Sequence, residues 1–352
     1  IGQTEKMLNE YVDLLDFHPS YKSSVQNILA RQIDFTEKES KEYQQLQQAL
    51  LQRAQKNTND TYYAELLVCF YIQSKNFSGA LIQVQALDKR FEDQGRNVYD
   101  LGKICVENQD YKTARKAFKY VIEKGNASPY YYVAENALLN TYFLEVTTER
   151  SFSSSEITET LALYNSTLER TGIKSSTIPM LLEQTHILAF YGNQANLAIN
   201  KLDKALKLSG LTHMQLAEIK MKLADVHVLH GDIWEASLIY MQIDNDFKFE
   251  TIGAEAKFKN AKIFYYDGEF EFAQSQLDVL KEGTSRFISN DAIQLSVFIT
   301  DNYGLDSNYQ VMLWFATADR MIAQHHYDSA FVLFDSIQTQ FPYHSLADDI
   351  LY

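Results

Sequence analysis

In the stretch HVLHGD, His227 and His230 lie three residues apart with Asp232 close behind. On a helix that spacing sets two imidazoles on one face, an arrangement that could hold a metal ion. The letters HGD, however, read as the turn that ends one helix and begins the next, and HHYD at 325–328 falls at a corresponding turn. The turn reading is the stronger one at both places. Cys69 and Cys105 have no evident base beside them, as a thiol nucleophile would need. Each reads as a small hydrophobe inside a helix, with one disulfide between them as the alternative. Acidic residues are plentiful, but no pair is set apart by spacing for acid–base work, and no Walker-type glycine loop or GxGxxG occurs. N-x-S/T sequons begin at Asn59, Asn76, Asn126 and Asn165, a weak signal in a chain rich in these residues. The sequence thus points to no enzyme, no cofactor and no metal site.

What remains is a question of scaffold. Hydrophobic residues make up 46% of the 352, with 23 Tyr and 21 Phe, so there is ample material for a core. Only four Pro and 13 Gly interrupt it, which favours long helices. A formal charge of -14 argues against nucleic acid, whose phosphates call for concentrated Lys and Arg. No uninterrupted apolar stretch is long enough for a membrane span. The chain begins at Ile1 without an initiator Met, which leaves an upstream leader, anchor or domain open.

The organising signal is a repeat. In residues 98–125, Leu101, Gly102 and Cys105 precede a polar break at Asn108–Asp110, and Tyr111, Ala114, Phe118 and Val121 follow at helical spacing. This predicts two short helices joined by a tight turn. Gly102 and Ala114 leave room for the backbones to approach, and Phe118 fills the space beside them. The same grammar recurs with Ala224, Gly231, Ala236 and Tyr240, and with Ala261, Gly268, Phe270, Ala273 and Leu277. It recurs again with Ala318, Tyr327, Ala330 and Phe334, closed by Pro342. An earlier copy holds Phe77, Ala80 and Val84, and a weaker one carries an extra turn residue before Ala198 and Leu202.

These residues resemble the tetratricopeptide repeat, a 34-residue helix–turn–helix with the pattern W-x2-L-G-x2-Y, A-x3-F and P. Leu101-Gly102 and Ala114-x3-Phe118 match it, with Val98 in place of the tryptophan and Cys105 in place of the tyrosine. His227 falls at the same tyrosine position, a core place. Trp314 lies near the family's tryptophan position, counting back from Ala318, and reads as a packing anchor. Ala80 and Ala114 are 34 residues apart, Ala198 and Ala236 are 38, and Ala236 and Ala273 are 37. The longer gaps, 84 residues from Ala114 to Ala198 and 57 from Ala273 to Ala330, call for insertions. In the first gap, 129–146 reads as a helix with Pro129 in its first turn, 147–156 as a linker, and 157–170 as a second helix capped by the serines before Glu156.

The resulting division is 1–56, divergent repeat-like helices; 57–125, repeat units; 126–172, a divergent unit with an inserted linker; 173–282, further units. It continues with 283–308, an inserted short helix or loop; 309–342, another unit; and 343–352, the start of a truncated unit. The last segment would be a helix capped by Ser345, with Asp348 and Asp349 in its first turn. The expected fold is therefore all-α, a right-handed superhelical solenoid of antiparallel helix–turn–helix units.

The resemblance also implies where partners bind, because in that family the first helix of each unit lines the concave wall. The matching positions are Tyr62, Glu65, Arg96, Tyr99, Lys103, Asp225, Phe258, Lys262, Tyr265, Phe315 and Asp319. Aromatics mixed with both charge signs suit protein contacts. The family's carboxylate clamp is not evident. The expectation is a non-catalytic scaffold that holds a protein or peptide partner, as part of a larger assembly. A regulatory or sensory repeat module controlling an appended effector domain is the alternative. A carbohydrate-processing α/α-toroid would need a closed ring and a carboxylate pair. The joint FP-x-x-S-x-A-D-D is similar to one in envelope-associated bacterial repeat proteins, including BamD-like outer-membrane assembly lipoproteins. That similarity favours the periplasm or outer-membrane periphery over the cytoplasm; oligomeric state is not indicated.

Overall fold

The computed structural model of the chain describes residues 2–56, 60–148, 153–283, 286–304 and 309–351. Every regular element among them is helical, with no strand. They fall into two compact units, Ile1–Ser151 and Phe152–Tyr352. The first holds α1 (Gly2–Phe17), α2 (Lys22–Gln32), α3 (Lys41–Lys56) and α4 (Tyr62–Gln73). It continues with α5 (Phe77–Phe91), α6 (Arg96–Glu107), α7 (Tyr111–Glu123) and α8 (Tyr131–Thr148). The second holds α9 (Ser154–Thr171), α10 (Ile178–Phe190), α11 (Ala195–Ala205), α12 (His213–His230), α13 (Ile233–Asp246) and α14 (Thr251–Asp267). After these come α15 (Phe270–Gly283), α16 (Arg286–Ile299), α17 (Tyr309–Ala323), α18 (Tyr327–Gln340) and α19 (Leu346–Leu351). From α3 to α8, and again from α9 to α16, each helix packs on the next, the contact pattern of a helical solenoid.

One turn recurs five times among the described residues. The residue that opens the second helix donates its N–H to a carbonyl five residues back. The pairs are Asn76 to Tyr71 (2.7 Å), Asp110 to Cys105 (2.9 Å), Asp232 to His227 (2.9 Å), Glu269 to Phe264 (2.9 Å) and His326 to Met321 (2.8 Å). The residue before each donor is left-handed: Lys75, Gln109, Gly231, Gly268 and His325, with φ between 52° and 105°. That geometry satisfies carbonyls a helix end would otherwise leave unpaired. Between α10 and α11 the turn is one residue longer, and Gln194 N–H reaches back six residues to Leu188 at 2.9 Å. Side chains close the other end: Asn76 accepts from Gly79 N–H at 3.0 Å and Asp110 from Thr113 N–H at 3.1 Å.

The small residues sit where helices meet. Ala80, Ala114, Ala198, Ala224, Ala236, Ala261, Ala273, Ala318 and Ala330 are all at most 1% exposed. Leu101, Gly102, Phe118 and Tyr240 are buried with them. Phe334 is half-buried against the core of the second unit, whereas Pro342 is exposed. A Cβ on Gly102 would lie 2.5 Å from the Phe118 ring, so the absence of a side chain there is a packing requirement.

Local details differ from the sequence reading in three places. Pro129 lies in the turn ahead of α8, and Ser153 forms a full capping box with Glu156 at the start of α9. The expected linker at 147–156 is helical at its start; its residues 149–152 lie outside the described residues, as does the sequon asparagine at 59. At α19 it is the His344 ring, 8% exposed, that accepts the Leu346 N–H at 3.2 Å, in the place expected for Ser345.

The second unit departs from simple stacking at α17. Residues 286–299 form α16, which packs along α15. With that position filled, α17 crosses the first helices of earlier pairs. Tyr309 and Leu313 lie against Gly268 at the end of α14. Past its last turn, Gln324 donates to the Val228 carbonyl of α12 at 3.1 Å, and the His325 ring meets Phe190 of α10 at 5.9 Å.

Two substitutions test the packing rules. Gly102→Ala should lower stability by about 1–3 kcal/mol despite alanine's better helix propensity, because the Phe118 ring has to move. Gln109→Gly should raise stability by roughly 1 kcal/mol by removing left-handed strain. Urea denaturation of both variants measures the two effects.

Candidate functional site

In the second unit a charged seam runs along the side of α10, α12 and α14 that α17 crosses. On α12, Asp225 accepts the Tyr240 hydroxyl at 2.7 Å and Lys259 of α14 at 2.8 and 3.0 Å. Lys259 also lies 3.2 Å from Glu255, one turn earlier on its own helix. Burial works against the Lys259 charge, but Asp225 and Glu255 together hold the ammonium above its ordinary range. Burial, with the Asp225 carboxylate beside it, pushes the Tyr240 phenol well up.

One turn before Asp225, the Lys222 ammonium lies 3.2 Å from Nδ1 of His186 on α10. Burial, with Lys222 next, lowers His186 to about 4, so at neutral pH the imidazole is uncharged and Nδ1 accepts from Lys222. The His186 ring stacks on Phe190 at 4.5 Å. Burial also lowers Lys222. Among the described residues no carboxylate lies within ion-pair distance of it.

Two open hollows flank α14. One, of about 790 Å³, lies between α12 and α14 and is lined by Asp225, Lys222, Glu255 and Lys259 together with Met214 and Phe249. The other, of about 570 Å³, lies between α14, α16 and α17. It gathers Phe258, Lys262, Tyr265, Phe315 and Asp319, with Asp291 and Phe298 from α16. Phe298 and Phe315 contact at 5.0 Å. Lys262 lies 5.3 Å from the Tyr266 ring centroid. Burial raises Asp319, against the pull of Lys262. Tyr265 lines this hollow but is only 1% exposed, so it acts chiefly as core rather than as an open contact surface.

The expected partner-facing residues of the first unit are scattered. Glu65 pairs with Lys22 at a third hollow, of about 530 Å³. Tyr62 is half-buried and packs on Tyr63 at 4.4 Å. Tyr99 lies between Phe118 and Tyr130, at 5.7 and 5.9 Å. Lys103 covers Tyr99 at 5.1 Å and pairs with Asp100 at 2.8 Å, and Arg96 is exposed at the start of α6.

The histidine motif is a turn. Asp232 Oδ2 lies 2.8 Å from His230 Nδ1 and 3.5 Å from His227 Nδ1, and hydrogen bonding by His230 holds the carboxyl below its ordinary range. The His227 side chain is 15% exposed, nearer the surface than a core tyrosine position would place it. No group of three His, Cys, Asp or Glu converges as metal ligands among the described residues. Both cysteines are free thiols, and burial pushes Cys105 up to about 12.

His186, Lys222, Glu255 and Lys259 are missing from the sequence reading, although a signal was there. Lys222 and Lys259 each stand two residues before a signature alanine, Ala224 and Ala261, at one repeat interval of 37. A lysine that recurs in register is a repeated feature of the seam, not a scattered surface charge.

The His186 arrangement makes a pH prediction. Its folded value, about 4, lies below the ordinary 6.5, so between these pH values the unfolded chain takes up a proton that the folded chain refuses. Stability should therefore be full above 6.5 and fall as pH drops towards 4, by about 2–3 kcal/mol. His186→Gln should lose that portion of the slope relative to the parent, measured by chemical denaturation across pH. No protein-family model matches the chain, and no curated protein matches it either.

Proposed function

We propose that this chain is a non-catalytic scaffold of tetratricopeptide type, wound as a right-handed superhelix, which holds a protein or peptide partner along its first helices as part of a larger assembly. The observation that carries the proposal is the hollow beside α14. Five positions that the repeat register assigns to a partner-facing wall, Phe258, Lys262, Tyr265, Phe315 and Asp319, line one recess there. Four of the five are only half-buried, and they combine rigid aromatic area with one charge of each sign. An open recess of this kind takes a side chain or a short segment of a partner, which is how protein surfaces anchor one another. The seam of Lys222, Asp225 and Lys259 continues the polar surface on the other side of α14. The FP-x-x-S-x-A-D-D joint supports a place in the bacterial envelope.

The test is site-specific photocrosslinking in the producing cells. A benzophenone side chain in place of Phe258 or Phe315 should yield a discrete protein adduct. The same group in place of Leu238, exposed on α13, should yield at least tenfold less. Lys262→Glu combined with Asp319→Lys should abolish the adduct while the helical circular dichroism stays unchanged. Equal labelling at all three positions would sink the assignment.

A further inference from the structure

The first unit holds a recess of different chemistry. Between α4, α5 and α6 lies the hollow of about 530 Å³, floored by Val68, Ile72, Val84, Leu87, Leu101 and Ile104. Cys69 opens onto the same floor. The rim is acidic, with Glu65 on α4, Asp93 just ahead of α6 and Asp100 on α6, while Asp88 of α5 lies buried in the wall. The lining holds one cation, Lys22 of α2, and Glu65 already engages it.

The four carboxylates are not equally committed. Asp88 is fully enclosed: it accepts Gly95 N–H at 2.6 Å, the Tyr120 hydroxyl at 2.7 Å and the Lys124 ammonium at 2.5 Å. That group is a structural brace between α5 and α7. Asp93 gives one oxygen to Asn97 N–H at 3.1 Å. Asp100 pairs with Lys103 on the same helix, with both side chains about half exposed, a contact that water screens and a ligand can replace. Phe91, 44% exposed, adds an aromatic face at the rim, to which cations are drawn.

An apolar floor of this volume is filled by one or two large aliphatic side chains. Carboxylates around the opening favour an occupant with positive charge beside those side chains and disfavour an acidic one. We infer that this hollow docks a cationic, apolar peptide segment of a partner protein: Leu- or Ile-like side chains seat on the Val68–Leu101–Ile104 floor, and neighbouring Lys or Arg heads meet Asp93 and Asp100. The inference rests on the scaffold reading and gives the partner a chemistry.

The thiol on the floor supplies the readout. Cys69 is partly exposed, whereas Cys105 is fully buried, so under native conditions alkylation reports on Cys69 and Cys105 reacts only on unfolding. The full chain is treated with a small maleimide alone and with three synthetic 12-residue peptides: Leu/Lys amphipathic, Leu/Glu amphipathic, and Ser/Lys of equal charge. The Leu/Lys peptide should slow Cys69 alkylation at least tenfold, and the other two less than twofold. Asp93→Asn with Asp100→Asn should cut the protection at least fivefold, with Cys105 still unreactive as a control for folding. Equal protection by Ser/Lys, protection by Leu/Glu, or protection undiminished in the double variant would overturn the assignment. The crosslinks at Phe258 and Phe315 belong to the second unit. If they form while Cys69 stays unprotected, this docking site falls and the scaffold reading stands.

Discussion

The contact on which the fold depends is the close approach of paired helices at residues too small to obstruct it. Ala114 on α7 and Gly102 on α6 are the clearest case, with the Phe118 ring packed into the space a Gly102 Cβ would need. Helices of 12 and 13 residues are marginal by themselves in water. Their stability comes from burying one apolar stripe against a neighbour, and the stripe is narrow enough that a single bulky residue at the crossing would separate the pair. The alanines recurring at one helical face are this constraint written along the chain. The left-handed turns serve it too, because they fix the angle at which the second helix returns.

How much of this was legible follows from what a local pattern can encode. The helix pairs, the tight turns and the extra residue before Ala198 come from spacing over about 30 residues, and spacing is what an apolar face requires. The path of α17 does not. Ala318, Ala330 and Phe334 set the pairing of α17 with α18, but nothing in their spacing says which earlier helices the pair meets. That depends on α16, whose apolar pattern fits either a helix of the stack or an insertion. Tyr265 shows the same limit: the repeat register assigns it to a helix face, while the rings of Phe270 on α15 and Phe298 on α16 pack against it. The lysines of the seam were legible in principle, because Lys222 and Lys259 recur at the repeat interval, yet charge is usually read as surface. His186 was not, since its partner lies 36 residues away on another repeat.

The two candidate surfaces differ in how charge is used. In the seam around α12 and α14, cations lie deep and are held by neighbouring groups: Asp225 joins Lys259 to the Tyr240 hydroxyl, and Lys222 leans on a neutral imidazole. Such an arrangement orders side chains at the cost of desolvation, and its value is in fixing geometry more than in adding stability. In the hollow of the first unit, apolar side chains lie deep, and Asp93 and Asp100 stand at the edge. There the charge is available to something outside the fold and can steer an approaching molecule of opposite sign.

The bond from Gln324 to Val228 spans 96 residues in a unit whose helices otherwise pack mainly on near neighbours. A linear array of repeats can fray from its ends, since each unit is held only by adjacent ones. Tying the turn after α17 to α12, and through His325 to α10, removes that freedom for everything in between. Closing so long a loop costs conformational entropy that must be met before the contact returns any stability. The second unit is thereby fastened at a point far along its own chain, which an open array of the same helices would lack.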